Sequence, residues 1–139
     1  LCYCGQSRAS ARNNWDIFRS FFDGDPKTLE HMSVIGALSE DCARALEHGE
    51  VDEALSISRR EWEARVALWP AIETSETKHL AEVARDAGAY FSRVCGAGGG
   101  GVMSIFADPG DHSAVKSAVT QAGGIVLPAT VATTGLAID

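Results

Sequence analysis

With 139 residues, 45% of them hydrophobic and 22% charged, the chain has the size and balance of one globular domain, not of a disordered segment. A net charge of −7 argues against a nucleic-acid or anionic-membrane surface, since both select basic patches. A phosphorylated small molecule is not excluded, because a few arginines and oriented backbone amides can hold phosphate locally.

No apolar run approaches the roughly 20 residues of a membrane span. No charged leader with an apolar stretch and a cleavage site is visible, so a cytoplasmic setting is expected, with neither nucleic acid nor membrane as partner. The sequence opens on Leu1 inside a strand-like run, and a fragment or trimmed chain is expected. Cys2, Cys4, Cys42 and Cys95 lack the pattern of a disulfide framework. Cys2 and Cys4 share one face at strand spacing. A zinc site would need two further closely spaced ligands, and His31, His48, His79 and His112 are scattered, so reduced thiols and no metal site are expected.

In chain order, residues 1–5 (LCYCG) read as a short strand. A helix is predicted over 10–22, where Trp15, Phe18 and Phe22 recur at helical spacing. Gly24 stops it, Asp25 supplies the next N-cap and Pro26 the first helical position. The long second helix carries Leu29, Met32, Ile35, Cys42 and Leu46 and ends at His48-Gly49. A third runs over 51–69, with Leu55, Trp62, Val66 and Trp69 on one side, until Pro70 halts it. Thr74-Ser75-Glu76 caps a fourth helix that Gly88 closes. The aromatic stripe Trp15, Phe18, Phe22, Trp62 and Trp69 is expected in the core.

After Gly88 the period changes. Residues 89–95 (AYFSRVC) and 102–107 (VMSIFA) are strand-like, Asp108-Pro109-Gly110 turns the chain, a helix follows over 111–122, and 125–138 reads as extended. Strand, four helices, strand, loop, strand, helix, strand is the order of an α+β domain. A small antiparallel sheet of about four strands, packed on helices, is expected in a single domain spanning 1–139.

Between the strands lie Gly96, Ala97, Gly98, Gly99, Gly100 and Gly101. Hairpins need one or two glycines, and each additional one costs backbone entropy. A rim stripped of side chains lets main-chain N–H groups approach a phosphate or sugar. It is neither the dinucleotide fingerprint, which runs from strand to helix, nor a P-loop, which needs a following Gly-Lys-Ser/Thr. From the residues alone, an anion- or substrate-facing loop and a flexible hairpin both stay open.

The run C-G-A-G-G-G-G-V-M-S-I-F resembles the third motif of the GHMP kinases, (S/T)-G-A-G-x-G-G before an apolar strand. This superfamily includes galactokinase, homoserine kinase, mevalonate kinase and phosphomevalonate kinase. The helices before it (R-R-E-W-E-A-R-V-A-L-W, then A-R-D-A-G-A) are similar to those of the sugar-kinase branch, and the opening G-Q-S-R-A-S is similar to a stretch of heptose-phosphate kinases.

The resemblance implies a ferredoxin-like C-terminal domain of an ATP-dependent kinase whose acceptor is a sugar or sugar phosphate. Gly96, Ala97, Gly98, Gly99, Gly100 and Gly101 would line the active site, and Arg8 would contact an anionic substrate; Ser7 and Ser10 fit turn and capping roles. The family's main phosphate-binding loop and its catalytic aspartate belong to an N-terminal domain absent from this sequence. That domain would hold most of the ATP and Mg²⁺, and no catalytic residue is assigned here. The segment alone is expected to be inactive. Cys95 stands where Ser or Thr is usual, Arg93 where Lys is common, and Phe91-Ser92 replaces a smaller pair. A non-catalytic binding or regulatory module and a diphosphomevalonate decarboxylase domain of the same fold are the alternatives.

Overall fold

The computed structural model describes residues 1–5, 10–96, 98–130 and 134–135, with 10–13 described as helical backbone only. Turn chemistry places the helices. Helix α1 (Ser10–Phe22) ends before Gly24, and Asp25 then caps α2 (Pro26–Glu47), its carboxylate accepting from Thr28 N at 2.8 Å. The Thr28 side chain, together with this backbone bond, holds the Asp25 carboxyl below its ordinary range. Helix α3 (Val51–Leu68) hands over at Trp69 to a single 3-10 turn, Pro70–Ile72, because proline cannot continue the ladder. Thr74 and Thr77 cap α4 (Ser75–Asp86) reciprocally: Thr77 N donates to Thr74 Oγ1 at 3.2 Å, and Thr74 N to Thr77 Oγ1 at 2.8 Å.

The sheet has four antiparallel strands in the order β2-β3-β1-β4, formed by β1 (Cys2–Tyr3), β2 (Ala89–Val94), β3 (Val102–Ala107) and β4 (Ile125–Val126), as expected for an α+β domain. The first strand therefore lies inside the sheet, with Cys2 opposite Met103 on one side and Val126 on the other. Helix α5 (His112–Gln121) joins β3 to β4. Of the extended stretch expected over 125–138, only Ile125–Val126 pairs as strand among the described residues.

Alternation along the strands separates two faces. Cys2, Cys4, Ala89 and Met103 are buried with Leu80 and Ala84 of α4 and Val115 and Val119 of α5. Tyr3 and Ile125, paired on the other face, are exposed. Burial pushes the Cys4 thiol up to about 12, so it is a core side chain and not a nucleophile. All four cysteines are free. A second cluster (Leu38, Ala45, Ala54, Ile57) joins α2 to α3, and a third (Trp62, Ile72, Val94) joins α3 to the sheet. Among the described residues no helix is long and apolar enough to cross a membrane.

The aromatic stripe divides. Trp62 is buried and Trp69 half-buried, but Trp15, Phe18 and Phe22 of α1 are 63%, 50% and 81% exposed. The expectation that all five belong to the core is corrected. α1 is amphipathic, but among the described residues no element covers its aromatic face.

Candidate functional site

The glycine run connects β2 to β3, and the strands set its ends: Cys95 N donates to Val102 O at 2.7 Å, and Cys4 N to Gly101 O at 2.7 Å. Gly96, Gly98, Gly99, Gly100 and Gly101 all have positive φ, between 73° and 115°. That is the left-handed region which costs other residues roughly 1–2 kcal/mol each. Ala97 lies outside the described residues.

The run is not a loose hairpin. Gly98, Gly99 and Gly100 are buried, and Gly99 N donates to Ile72 O at 2.8 Å. A Cβ on Gly98 would lie 2.2 Å from Ile72 Cγ1 and 2.8 Å from Ile72 O. The 3-10 turn started by Pro70 thus seats the loop, and at Gly98 the missing side chain makes room for protein. At Gly96 the surroundings are open: an added Cβ would meet nothing within 4 Å.

Among the described residues, the N–H groups of Gly96, Gly100 and Gly101 have no hydrogen-bond acceptor. Beside the loop is a cavity of about 70 Å³ lined by Asn14, Ile17, Arg65, Trp69, Ile72 and Gly96. Trp69 Nε1 is buried without a partner.

At the loop entrance the exposed Cys95 Sγ lies 3.2 Å from Ser104 Oγ, so a serine hydroxyl from the facing strand partners the thiol. Arg93, two residues earlier, turns to α3. Its Nη1 is 2.9 Å from Glu61 Oε2, an ion pair whose angles fall short of a hydrogen bond, and donates to Ser58 Oγ at 3.2 Å. Its guanidinium carbon lies 5.7 Å from the centroid of the Trp62 ring, within cation–π range. Arg65 Nε donates to the other Glu61 oxygen. A buried carboxylate thus holds two guanidinium groups.

Sequence reasoning passed over Ser58, Glu61 and Arg65. The i,i+4 spacing of Glu61 and Arg65 was the available signal, but R-R-E-W-E-A-R offers a second such pair, Arg59 with Glu63. Arg8 lies outside the described residues.

Away from the loop, Tyr90 hydrogen-bonds to Asp108, whose carboxylate accepts from the phenol and pushes it up to about 12. A concavity of about 470 Å³ contains Arg59, Glu63, Glu73, Lys78, Glu82 and Arg85 and shares no residue with the loop. Its balanced charges single out no ligand. Among the described residues no three His, Cys, Asp or Glu side chains come together as a metal site needs.

Residues 43–125, more than half of the chain, match the family model described as GHMP kinases C terminal, and the match includes α3, α4 and the glycine loop. A D-glycero-alpha-D-manno-heptose 7-phosphate kinase from Campylobacter jejuni is 30% identical over 86 residues, covering 62% of this chain. The matched region is 25% of that relative's length. With its four-stranded antiparallel sheet, helical layer and glycine-lined β2–β3 connection, the chain belongs to the GHMP kinase family and corresponds to its C-terminal domain.

Proposed function

We propose that the chain is the C-terminal part of an ATP-dependent kinase that transfers the γ-phosphate to a sugar or sugar phosphate of heptose type, with the loop at 96–101 lining the active site. The observation that carries this reading is the set of N–H groups at Gly96, Gly100 and Gly101, unengaged among the described residues, on a backbone almost bare of side chains. Such donors suit phosphate oxygens, for which positioning and charge stabilisation supply most of the catalysis. The name of the Campylobacter jejuni relative supports the substrate class.

In this reading ATP and Mg²⁺ are held mainly by an N-terminal domain that also carries the catalytic acid–base group. ATP supplies the phosphoryl group when bound. The residues of this chain orient oxygens through main-chain N–H donors and exclude water with the seated loop. Arg8 is assigned to the substrate's anionic group. Trp15, Phe18 and Phe22 suit a further domain as neighbour, since large exposed apolar groups in one patch usually mark an interface. A cytoplasmic location fits the free cysteines.

The test is ATP-dependent phosphorylation of D-glycero-D-manno-heptose 7-phosphate, measured for the chain alone and joined to an N-terminal ATP-binding domain of the family. The reading expects no turnover alone and turnover when joined. Turnover by the 139 residues alone, or none by the joined protein with any sugar or sugar phosphate, would refute it.

A further inference from the structure

The Glu61 network does more than tie α3 to the sheet. A buried carboxylate needs one cationic partner to offset its desolvation, and Arg93 already supplies it from β2 at 2.9 Å. Arg65 adds a second guanidinium to the same carboxylate. Locally the group carries one excess positive charge, in a chain whose net charge is −7. The excess faces a cavity of about 330 Å³ between α2 and α3, whose polar lining includes Ser39, Ser58, Glu61, Arg65 and Arg93.

The geometry leaves donors to spare. Arg65 meets Glu61 through Nε, and Arg93 meets Glu61 and Ser58 through Nη1. Among the described residues, the two terminal nitrogens of Arg65 and the Nη2 of Arg93 have no acceptor. Glu61 fixes one end of each fork, and the Trp62 ring lies against the Arg93 guanidinium. The free donors are therefore pre-oriented and lose little entropy on binding. Two guanidinium groups held this way match the several oxygens of a phosphate monoester. Arg65 also lines the small cavity that contains Gly96, so this group adjoins the glycine loop.

We propose that Arg65 and Arg93, braced by Glu61, form a subsite for the phosphate that a phosphorylated sugar already carries, as distinct from the phosphate being transferred. The identity of the ligand as a sugar phosphate rests on the kinase reading above; the anion site itself rests on the geometry. Arg65 and Arg93 then select phosphorylated over unphosphorylated acceptors.

The experiment is calorimetric titration of the chain in low-chloride buffer with D-glycero-D-manno-heptose 7-phosphate, the unphosphorylated heptose, inorganic phosphate and ATP. The heptose phosphate should bind and the free heptose should not. Arg65→Gln, whose side chain is 41% exposed, should fold normally and weaken binding about tenfold or more. Arg93→Lys keeps a charge opposite Glu61 but loses the fork, and should also weaken binding. Arg59→Gln, on a different concavity, is the control and should bind as the parent does.

Unaltered heptose phosphate binding in Arg65→Gln, with a parent-like melt, would overturn the subsite. Loss of ATP binding equal to the loss of sugar-phosphate binding would overturn it too, by giving the pair to the nucleotide. In the joined protein, Arg65→Gln should raise KM for the heptose phosphate with kcat little changed, and an unchanged KM counts against the subsite. Failure of the kinase reading would look different: arginine-dependent binding of the phosphate ester would persist, with no phosphoryl transfer at all.

Discussion

Helices α1 and α3 have similar sequence signatures and opposite fates. Each carries aromatic residues at helical spacing, yet Trp62 on α3 is 7% exposed while Trp15 on α1 is 63% exposed. The difference lies in the neighbours: α3 lies between α2 and the sheet edge, where Ile72 and Val94 close over Trp62. The aromatic face of α1 meets no such layer among the described residues. Periodicity identifies a face that gains by burial; it does not say what buries it.

The strongest way to break this contrast is to truncate both helices. Trp62→Ala should cost about 3–5 kcal/mol, since it empties a packed site and removes the ring beside Arg93. Guanidinium denaturation would measure it, and a loss below about 1 kcal/mol would mean that α3 is no better anchored than α1.

Next is the seat of the glycine loop on Ile72. Gly98→Ala should destabilise by about 3 kcal/mol, combining a left-handed backbone with a Cβ driven into Ile72. Gly96→Ala carries only the backbone part, about 1 kcal/mol, because its surroundings are open. Equal melting temperatures for the two variants would contradict the packing described for Gly98.

On α1 the stability effect should be small. Trp15→Ser with Phe22→Ser should change unfolding free energy by less than about 1 kcal/mol, while reducing self-association in sedimentation experiments. A large stability loss would show that the aromatic face is a core element after all.

The smallest effect belongs to the junction between α1 and α2. The Asp25 carboxyl is held below its ordinary range by Thr28, so the folded state favours its charged form. Its contribution is complete above the ordinary carboxylate range and is lost as pH falls below it. Asp25→Ala should remove that part of the acid-side slope in stability-versus-pH curves, and an unchanged slope would deny the cap its role.

The elements were legible because local chemistry sets their ends. Asp25-Pro26, Pro70, Thr74 and Gly88 each do one recognisable thing to the backbone, and the helices begin and end within a residue or so of where those residues direct. The glycine run was legible as exceptional, and its resemblance to a kinase motif identified the family. The reason for Gly98 was not, because Ile72 reaches it only through the tertiary fold. Glu61 with Arg93 was hidden for the same reason: α3 and β2 meet across the intervening α4, and no spacing rule links them. The exposure of Trp15, Phe18 and Phe22 depends on which elements pack beside α1, and a hydrophobic pattern cannot name them.

The central claim is that the main-chain N–H groups of the glycine loop face a phosphorylated ligand. Amide chemical shifts of Gly96, Gly100 and Gly101, followed in the joined protein during titration with heptose 7-phosphate and ATP·Mg²⁺, test it most directly. The account predicts that all three move and saturate together with substrate binding. If they stay fixed while substrate binds and turns over, the loop is only a structural hairpin and the assignment of the site is wrong.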